Sequence, residues 1–379
     1  MAAGAGASSS ADDQLLARYE VGQNSIGGGA YADVYPARHR LTGRRVAVKI
    51  FHAPPHLDEG GGGPEREIEI MRLLRHHPHV IRFYEAASVG AGNSGHKKKK
   101  KKQQQQQQVC IVMELAESGE LYNHVLSSPG GRLEEGEARR VFQQLTSGVA
   151  YCHRNMVVHH DLKLENVLLD AENKVKVADF GFSNFFGPVQ VPGADCGSLL
   201  YAAPEVVADG EGIERNLGPE VDMWSCGVIL FAMLCGYLPF DGPDDSTSAI
   251  KRRIRSGAVR MPSRMSEGPR ELIAGMLRVN PESRMSIDEV CQHPWLQHRI
   301  PPYLTMPPPV HDANTHILRV CDDTVEDVVR LMDGLDKINL VELLHNGVEN
   351  QATVAYFLIL DKRHDATTRD AWLVHMLHD

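Results

Sequence analysis

The sequence lacks the features that mark secreted and membrane-spanning proteins. Its first residues, MAAGAGASSSADD, contain no basic segment followed by an apolar one, so they do not predict a secretory signal. The most apolar stretch runs from Met223 to Leu238 and ends at Pro239, which makes it shorter than the roughly 20 residues of a membrane span. We expect this stretch to be a buried helix, and we expect no membrane partner.

A broad excess of basic charge and a regular set of cysteines are absent as well. The formal net charge is −9, whereas a nucleic-acid binder needs a basic face, so we expect no nucleic-acid partner. The seven cysteines are odd in number and scattered, which is typical of a reduced compartment and predicts a cytoplasmic or nuclear location. The 42% hydrophobic and 23% charged residues are ordinary for a soluble globular chain of this length.

Composition and periodicity divide the chain into a disordered start, a large domain, a proline-rich linker, a helical unit and a tail. The predicted boundaries are, in that order, 1–18, 19–298, 299–317, 318–361 and 362–379. Within the large domain, a run of glycines followed by Pro64 predicts that a helix begins near Pro64.

A low-complexity insertion at 89–108 carries six lysines and then six glutamines. A lysine run can be a nuclear import signal or a patch for an anionic partner. It can also be part of a solvated hairpin loop, because a long surface insertion costs little closure entropy. We favour the hairpin loop.

A glycine-rich turn lies between two strand patterns, in the stretch from Ile26 to Val34. Glycines let backbone N–H groups approach phosphate oxygens closely, although many hairpins have such a turn. The strand RRVAVKI follows and carries Lys49, which can reach the phosphates of a nucleotide. A lysine in this role needs a carboxylate to hold it, and Glu67 on the next predicted helix is the candidate.

The stretch VHHDLKLENVLL gives a stronger signal. Phosphoryl transfer needs the phosphates held, a metal ion placed and the acceptor hydroxyl oriented. Asp161 can accept a hydrogen bond from that hydroxyl, Lys163 can stabilise the transferring group, and Asn166 can hold a metal ion. Asp179 in an Asp-Phe-Gly tripeptide supplies a second metal ligand, and the tripeptide APE at 203–205 follows. Five ordered matches at compatible spacing predict a kinase that uses ATP and Mg²⁺.

Over residues 19–298 the chain resembles eukaryotic Ser/Thr protein kinases, most closely the plant branch of the sucrose-non-fermenting and AMP-activated kinase family. The resemblance is carried by stretches such as RRVAVKI, HHPHVIRFYE, VMELAESGEL, HHDLKLEN, YAAPEVV and GPEVDMWSCGVILFAMLCGYLPFD. It implies an α+β, bilobal protein-kinase fold: a small lobe made of an antiparallel sheet with one main helix, and a mostly helical large lobe. ATP is expected between the lobes. Protein substrates and a role in energy, sugar or stress signalling are also implied.

The resemblance assigns roles to positions that the motifs alone do not explain. Met113 resembles the gatekeeper, Glu114 to Ala116 the adenine hinge, and Leu168 the floor under the adenine. Together with the glycine-rich turn and its following strand, the expected ATP-binding set is Ile26, Gly27, Gly28, Gly29, Val34, Ala47, Lys49, Glu67, Met113, Glu114, Ala116 and Leu168.

Other positions resemble family residues for substrate choice and for support of the catalytic loop. Glu120 and Glu165 match positions that meet a basic residue upstream of the phosphorylated Ser or Thr. Ser198 matches the position that marks Ser/Thr kinases rather than Tyr kinases. Asp222 and Trp224 are expected on a buried helix behind the catalytic loop, and Arg284 resembles the ion-pair partner of Glu205.

The chain departs from the family pattern at three positions of the kinase domain. Ala32 replaces the third glycine of the loop, Ala194 replaces the activating Thr, and His160 replaces the Arg before the catalytic Asp. In relatives that Arg pairs with the phosphate on the Thr and orders the loop. Both ends of this switch are absent together, so we expect no control by phosphorylation at this position.

Residues 318–361 resemble the small, three-helix ubiquitin-associated-like domain that follows the kinase domain in this family, through the stretch VENQATVAYFLILDKR. The turn at 332–335 departs from the usual Met-Gly-aromatic sequence, so we expect packing against the kinase with a regulatory effect rather than ubiquitin binding. The family's regulatory subunits are candidate partners. Because the chain ends at Asp379, before the domain that binds them in relatives, we do not expect heterotrimer assembly.

Two hypotheses for the function remain. The first is an active Ser/Thr kinase without activation-loop control, which the full set of catalytic and nucleotide-binding residues favours. The second is a kinase-shaped scaffold or decoy that binds partners, which the substitutions at 32, 160 and 194 motivate. A zinc site through His76, His77 and His79 suits no tetrahedral spacing and has no accompanying cysteine pair, so we interpret these as loop histidines.

Overall fold

The structure is a computed structural model, and it describes residues 17–52, 63–90, 107–190, 199–208, 214–243, 246–305 and 320–366. The chain divides into two compact units. The first, sheet-rich unit is drawn from Met1–His56, Phe83–Leu115 and Pro309–Asp379, and the second, helical unit from Leu57–Arg82 and Ala116–Pro308.

The first unit contains a six-stranded antiparallel sheet in the order β1-β3-β4-β6-β5, with β2 paired to β3. Its strands are β1 (Tyr19–Val21), β2 (Gly27–Gly28), β3 (Ala32–His39), β4 (Arg45–Phe51), β5 (Phe83–Gly90) and β6 (Gln107–Glu114). The turn between β3 and β4 needs a left-handed residue, which Gly43 supplies with φ 67°. The central strand β4 is rich in β-branched residues and is mostly buried.

Strands β5 and β6 form the base of the predicted low-complexity loop. Gly90 pairs with Gln107 and Val89 with Gln108, so the hairpin extends two residues into the insertion from each side. The rest of the insertion, 91–106, lies outside the described residues. Arg18 was included in the predicted disordered segment 1–18. In the structure it donates a hydrogen bond of 2.5 Å to Glu85 on β5.

The second unit is built mainly of helices. They are α1 (Pro64–Leu74), α2 (Leu121–Ser127), α3 (Glu135–Arg154), α4 (Glu220–Cys235), α5 (Thr247–Ser256), α6 (Glu267–Met276), α7 (Ile287–Gln292), α8 (Pro294–Gln297) and α9 (Pro302–Thr305). The short strands are β7 (Gly119–Glu120), β8 (Val157–Val158), β9 (Val167–Leu169), β10 (Val175–Val177), β11 (Asn184–Phe185), β12 (Pro188–Gln190) and β13 (Glu214–Asn216). Three of them form the sheet β10-β9-β7, and the others pair as β11-β8 and β12-β13.

Helix α4 is the apolar stretch that resembled a membrane span. Nearly all of its residues are buried in the helical unit, and Gly236 ends it with φ 82°. It is therefore a core helix, as predicted. Within the described ranges, none of the helices combines the length and the apolar character needed to cross a bilayer.

Helix α1 begins at Pro64, where the sequence predicted it, but it belongs to the helical unit and not to the sheet unit. The chain after α1 explains this difference. Val80 forms an isolated parallel bridge with Val177, and the Val177 N–H donates to the His79 carbonyl at 2.9 Å. These bonds join the segment that follows α1 to strand β10.

Three further helices complete the sheet unit: α10 (Asp322–Leu331), α11 (Lys337–His345) and α12 (Gln351–Ala366). They share a core that includes Val325, Leu340 and Tyr356. The opposite side of α12 packs on the sheet, because Val354 and Leu358 lie in one cluster with the sheet residues Tyr19, Ala37, Val46, Val48, Tyr84, Cys110 and Val112.

Candidate active site

The predicted catalytic loop joins β8 to β9 and holds three of its polar side chains in direct contact. Lys163 Nζ donates to Asp161 Oδ2 at 2.7 Å. Asn166 Nδ2 donates to the same carboxylate oxygen at 2.9 Å and to the Asp161 carbonyl at 2.8 Å. These bonds hold the carboxylate, ammonium and amide groups within one hydrogen-bonded cluster.

Asp222, near the start of α4, fixes this loop from the buried side. Its Oδ2 accepts hydrogen bonds from the His159 N–H at 2.8 Å and from His153 Nε2 at 2.9 Å, and its Oδ1 accepts one from the His160 N–H at 2.9 Å. His160 has φ 66°, which is costly for a residue with a side chain, so the loop needs such an anchor. The buried position predicted for Asp222 is confirmed.

The pKa of Asp222 reflects two opposing effects. Burial favours the neutral acid and raises the pKa. The hydrogen bond from His153 and the nearby imidazoles of His153, His159 and His160 oppose burial, and the pKa ends below its ordinary value. Asp222 is therefore a carboxylate at neutral pH, and it can accept the loop N–H groups with a full negative charge.

The residue before Asp179 is hydrogen-bonded to the catalytic loop. The Ala178 N–H donates to the Asn166 carbonyl at 2.9 Å, and His159 Nε2 lies 3.0 Å from the Ala178 carbonyl. Asp179 then adopts φ 62° and is exposed, while Phe180 is buried with its ring 5.0 Å from that of His159. Asp179 is thus exposed, and it directly follows Ala178, whose N–H is bonded to Asn166.

The residues present fit a magnesium ion in donor chemistry. Asn166 uses its Nδ2 for Asp161, which leaves its amide oxygen to face a cation, and Asp179 offers carboxylate oxygens. Oxygen ligands from one or two side chains, completed by phosphate oxygens and water, are what Mg²⁺ prefers in phosphoryl-transfer sites. In the described part of the chain, no group of three His, Cys, Asp or Glu side chains could hold a metal by itself.

The predicted phosphate loop is a tight hairpin in the sheet unit. The Ile26 N–H donates to the Val34 carbonyl at 2.8 Å, and the Gly29 N–H donates to the Ala32 carbonyl at 2.9 Å. A β-carbon on Gly27 or Gly29 would meet nothing within 4 Å, which leaves the outer face of the turn open to a ligand. A β-carbon on Gly28 would collide with the Asp33 carboxylate.

Lys49 lies on β4 next to this hairpin. It pairs in register with Val34 on one side and with Ile111 on the other, and its Nζ lies 5.3 Å from the centre of the Phe51 ring. Ala47, two residues earlier, pairs with Met113, and Glu114 follows at the end of β6. The predicted nucleotide residues of the sheet unit therefore lie on neighbouring strands.

The remaining predicted nucleotide residues belong to the helical unit. Glu67 is buried in the first half of α1 with 3% exposure, and Leu168 lies on β9 paired with Glu120 of β7. Ala116 precedes β7 and is half-buried. The expected pairing of Lys49 with Glu67 involves residues of both units and stays a prediction.

Two carboxylates predicted for substrate recognition lie near the catalytic loop. Burial, and then the negative charge of Glu165, raise the pKa of Glu120 above its ordinary value. Oε2 of Glu165 is buried and accepts no hydrogen bond from the described residues. Ser198, the third predicted substrate residue, and Ala194 lie outside the described residues.

Arg284 forms the predicted ion pair with Glu205, which is thereby confirmed. Two guanidinium nitrogens donate to the two carboxylate oxygens at 2.7 and 2.9 Å, and the Arg284 side chain has no exposed area. Its Cζ also lies 5.2 Å from the centre of the Trp224 ring. The pair joins the tripeptide at 203–205 to helix α4.

The sequence does not predict the role of His153. His153 lies in the last turn of α3, and its sequence context carries no signal that distinguishes it from a surface residue. His77 and His79 lie in the loop after α1, as predicted, but their burial was not predicted. His77 stacks on Tyr151 with ring centres 4.8 Å apart, and His79 Nδ1 lies 2.9 Å from the Val175 carbonyl. Both are buried, so they are core residues that hydrogen-bond or stack within the protein.

The fold and the site define the class of protein: the chain belongs to the protein kinase family, whose profile, described as Protein kinase domain, matches residues 19–296. Within the matched residues, the antiparallel sheet corresponds to the sheet-rich N-lobe of that α+β domain, and the helices from α2 onward correspond to its helical C-lobe. The chain is similar to the serine/threonine protein kinase OSK4 of Oryza sativa subsp. indica, with 43% identity over 94% of this chain and 64% of the relative.

Two other plant proteins give a similar picture. The SNF1-related protein kinase catalytic subunit alpha KIN12 of Arabidopsis thaliana is 41% identical over 92% of this chain and 65% of its own length. The carbon catabolite-derepressing protein kinase of Secale cereale is 41% identical over 94% of this chain and 66% of its own length. The chain thus spans slightly less than two thirds of each relative, and the predicted kinship with plant SNF1-related kinases is confirmed.

Proposed function

We propose that this chain transfers the γ-phosphoryl group of Mg-ATP to Ser or Thr hydroxyls of protein substrates. The observation that carries the proposal is the hydrogen-bonded cluster of Asp161, Lys163 and Asn166, which Asp222 anchors from behind. A scaffold that only binds partners has no need for a strained loop held by a buried carboxylate. The protein kinase family in general uses ATP with Mg²⁺, and the donor set here fits that pair.

ATP supplies the phosphoryl group, and Mg²⁺ offsets its charge. In the proposed roles, Asn166 and Asp179 hold the metal, and Lys49 with the glycine-rich turn holds the phosphates. Asp161 accepts the hydrogen bond of the substrate hydroxyl and takes its proton as the new O–P bond forms. The bond between the γ-phosphorus and the bridging oxygen of ATP breaks in the same step, and ADP leaves. Lys163, 2.7 Å from Asp161, places its positive charge beside the group in transfer.

The proposal is tested by phosphate incorporation into a Ser peptide. Wild-type protein is expected to label the peptide only when Mg²⁺ is present, and Asp179→Asn is expected to lower the rate by about 100-fold or more, because it removes a charge that supports the transition state. Glu172→Gln, which changes an exposed carboxylate in the turn between β9 and β10, is the control and is expected to match wild type. A wild-type protein that labels nothing contradicts the proposal and favours the scaffold hypothesis.

We further propose that the substrates carry a basic residue upstream of the phosphorylated position. Glu120 and Glu165 place two carboxylates close together, and one buried oxygen of Glu165 has no hydrogen bond among the described residues. A bound Arg or Lys would satisfy that oxygen and relieve the repulsion between the two charges.

Matched peptides test this preference. A peptide with an upstream Arg is expected to have a kcat/KM about tenfold above that of its Ala counterpart, since one charged hydrogen bond contributes about 1.5 kcal/mol or more. Glu120→Gln and Glu165→Gln should each reduce that ratio. If the two peptides react equally well, the substrate proposal is wrong while the kinase proposal stands.

We also propose that helices α10 to α12 form a ubiquitin-associated-like domain that regulates the kinase by packing on its sheet. Tyr84 on β5 donates a hydrogen bond of 2.6 Å to Asp361 of α12, and Lys362 Nζ donates to the Thr42 carbonyl at 3.2 Å. Val354 and Leu358 add apolar contact with the sheet. The packed face of the sheet includes β4, the strand that carries Lys49. Packing of the helices can therefore affect the position of this strand and of its lysine.

A further inference from the structure

Arg66 lies in the first turn of α1, directly before Glu67. Its Nη1 donates a hydrogen bond of 2.9 Å to Oδ1 of Asn184, which lies 118 positions further along the chain. Both residues belong to the helical unit. The bond therefore links the start of α1 to the segment that follows Asp179.

The start of α1 has Pro64 at its first position and two acidic residues in its first turn, but it lacks a side-chain cap. Gly63 occupies the N-cap position and provides no side-chain hydrogen bond to the first turn. Arg66 also places a positive charge near the helix N-terminus, where the helix dipole disfavours it. Local helix preferences thus do not explain the arginine at this position, whereas its contact with Asn184 does.

Asn184 is a firmly held acceptor. It pairs with Val158 through the strands β11 and β8, directly before the catalytic loop. Its Oδ1 also accepts the Phe185 N–H at 3.0 Å, which fixes the orientation of the amide. Its neighbour Ser183 is buried and donates from Oγ to the His159 carbonyl at 3.1 Å. The acceptor is thus part of the catalytic-loop framework.

We propose that Arg66 is a positioning residue, which ties the first turn of α1 to Asn184 and thereby presents Glu67 in a fixed place. The inference rests on the proposed function, in which Glu67 holds the lysine that binds ATP. Arg66 itself contacts neither nucleotide nor substrate in this role. Loss of its hydrogen bond leaves the carboxylate of Glu67 on a helix end that frays.

Two single variants and their combination test the tie. Arg66→Gln and Asn184→Ala are each expected to speed hydrogen–deuterium exchange in the first turn of α1. Each should also lower kcat/KM for ATP by about tenfold, the cost of one hydrogen bond to a charged group. The double variant should be no worse than Asn184→Ala alone, because that change already removes the bond to Arg66. Glu69→Gln, an exposed change on the same helix, is the control.

A conservative variant distinguishes loss of the hydrogen bond between Arg66 and Asn184 from a general loss of stability. Asn184→Asp keeps an acceptor for Arg66 and is expected to stay within about twofold of wild type, since it replaces a hydrogen bond with a charge-assisted one. The higher activity of Asn184→Asp relative to Asn184→Ala should disappear when Arg66→Gln is also present. The inference is overturned if exchange in α1 is unchanged in the single variants, or if the losses of the two variants add. A wild-type protein without kinase activity would defeat the proposed function, and the exchange data would still decide the role of Arg66.

Discussion

At the scale of single residues, Asp222 shows how one buried carboxylate can determine a loop. Its two oxygens accept three hydrogen bonds, two of them from consecutive backbone N–H groups of the catalytic loop. The His159 N–H is buried and the His160 N–H is half-buried, and leaving a buried N–H unpaired costs about 1–3 kcal/mol. Because the pKa of Asp222 lies below its ordinary value of about 3.9, its contribution is complete at neutral pH and is lost only as the pH falls through that lowered pKa.

We therefore expect Asp222→Asn to lower the free energy of unfolding by about 2–4 kcal/mol, since it removes the charge and turns one acceptor into a donor that faces N–H groups. Urea titration at pH 7 measures the change. Asp333→Asn, the same exchange at an exposed turn, is expected to change the value by less than about 0.5 kcal/mol. Equal stability of the two variants would mean that Asp222 does not anchor the loop.

At the scale of elements, helix α12 differs from an ordinary amphipathic helix, because two of its sides are buried. One side closes the core of the three C-terminal helices, with Ala355 and Tyr356, and the other packs on the sheet, with Val354 and Leu358. A cavity of about 430 Å³ lies nearby, between the turn at Thr42 and the helices α10 and α12. Helix α12 therefore connects two cores, and a substitution on one of its sides can change the packing on the other side.

The substitution Leu358→Ala tests this connection. Leu358 has no exposed area, so truncation is expected to cost about 2–4 kcal/mol of unfolding free energy. The regulatory proposal adds that kcat of the kinase changes by about twofold or more. Ile338→Ala on α11, where the side chain is 76% exposed, is the control. Lost stability with unchanged kcat would leave the three helices as a structural appendage.

At the scale of the whole molecule, buried histidines couple stability to pH. Burial lowers the pKa of His79 to about 3 and that of His39 to about 4, and it holds the pKa of His77 well below 6.5. His79 donates from Nδ1 to the Val175 carbonyl and faces the Tyr303 hydroxyl with Nε2, an arrangement that suits the neutral ring. Between pH 6.5 and these lowered values, the unfolded chain binds protons that the folded chain does not.

The free energy of unfolding is therefore expected to fall as the pH is lowered from 7 to 5, by about 2 kcal/mol for a histidine as buried as His79. Urea midpoints at the two pH values measure the decrease. His79→Asn, whose amide can replace the Nδ1 hydrogen bond but does not titrate, should make the decrease smaller. A decrease of the same size in the variant would assign the pH dependence to other groups.

Much of this architecture could be predicted from the sequence, because local rules apply to it. The glycine run and Pro64 predicted the start of α1, and the continuous apolar run predicted the buried helix α4. The motif residues Asp161, Lys163 and Asn166 are close in sequence, so one loop was enough to bring them together.

Contacts between distant residues could not be predicted in this way. The bond of His153 to Asp222 depends on how α3 packs against α4, and the bond of Arg66 to Asn184 joins residues 118 positions apart. The grouping of α1 with the helical unit likewise follows from the bridge between Val80 and Val177, and neither valine carries a signal that identifies its partner. Such tertiary pairings leave no periodic or compositional signal in a single sequence.

In the proposed reaction, the Asp161 carboxylate orients and deprotonates the hydroxyl that receives the phosphoryl group. The most direct test is the steady-state rate of peptide phosphorylation by Asp161→Asn at saturating Mg-ATP. We predict that kcat falls by about 10²–10⁴-fold while KM for ATP changes little, because Asp161 acts on the acceptor and not on the nucleotide. An Asp161→Asn protein that turns over as fast as wild type would show that Asp161 does not have this role.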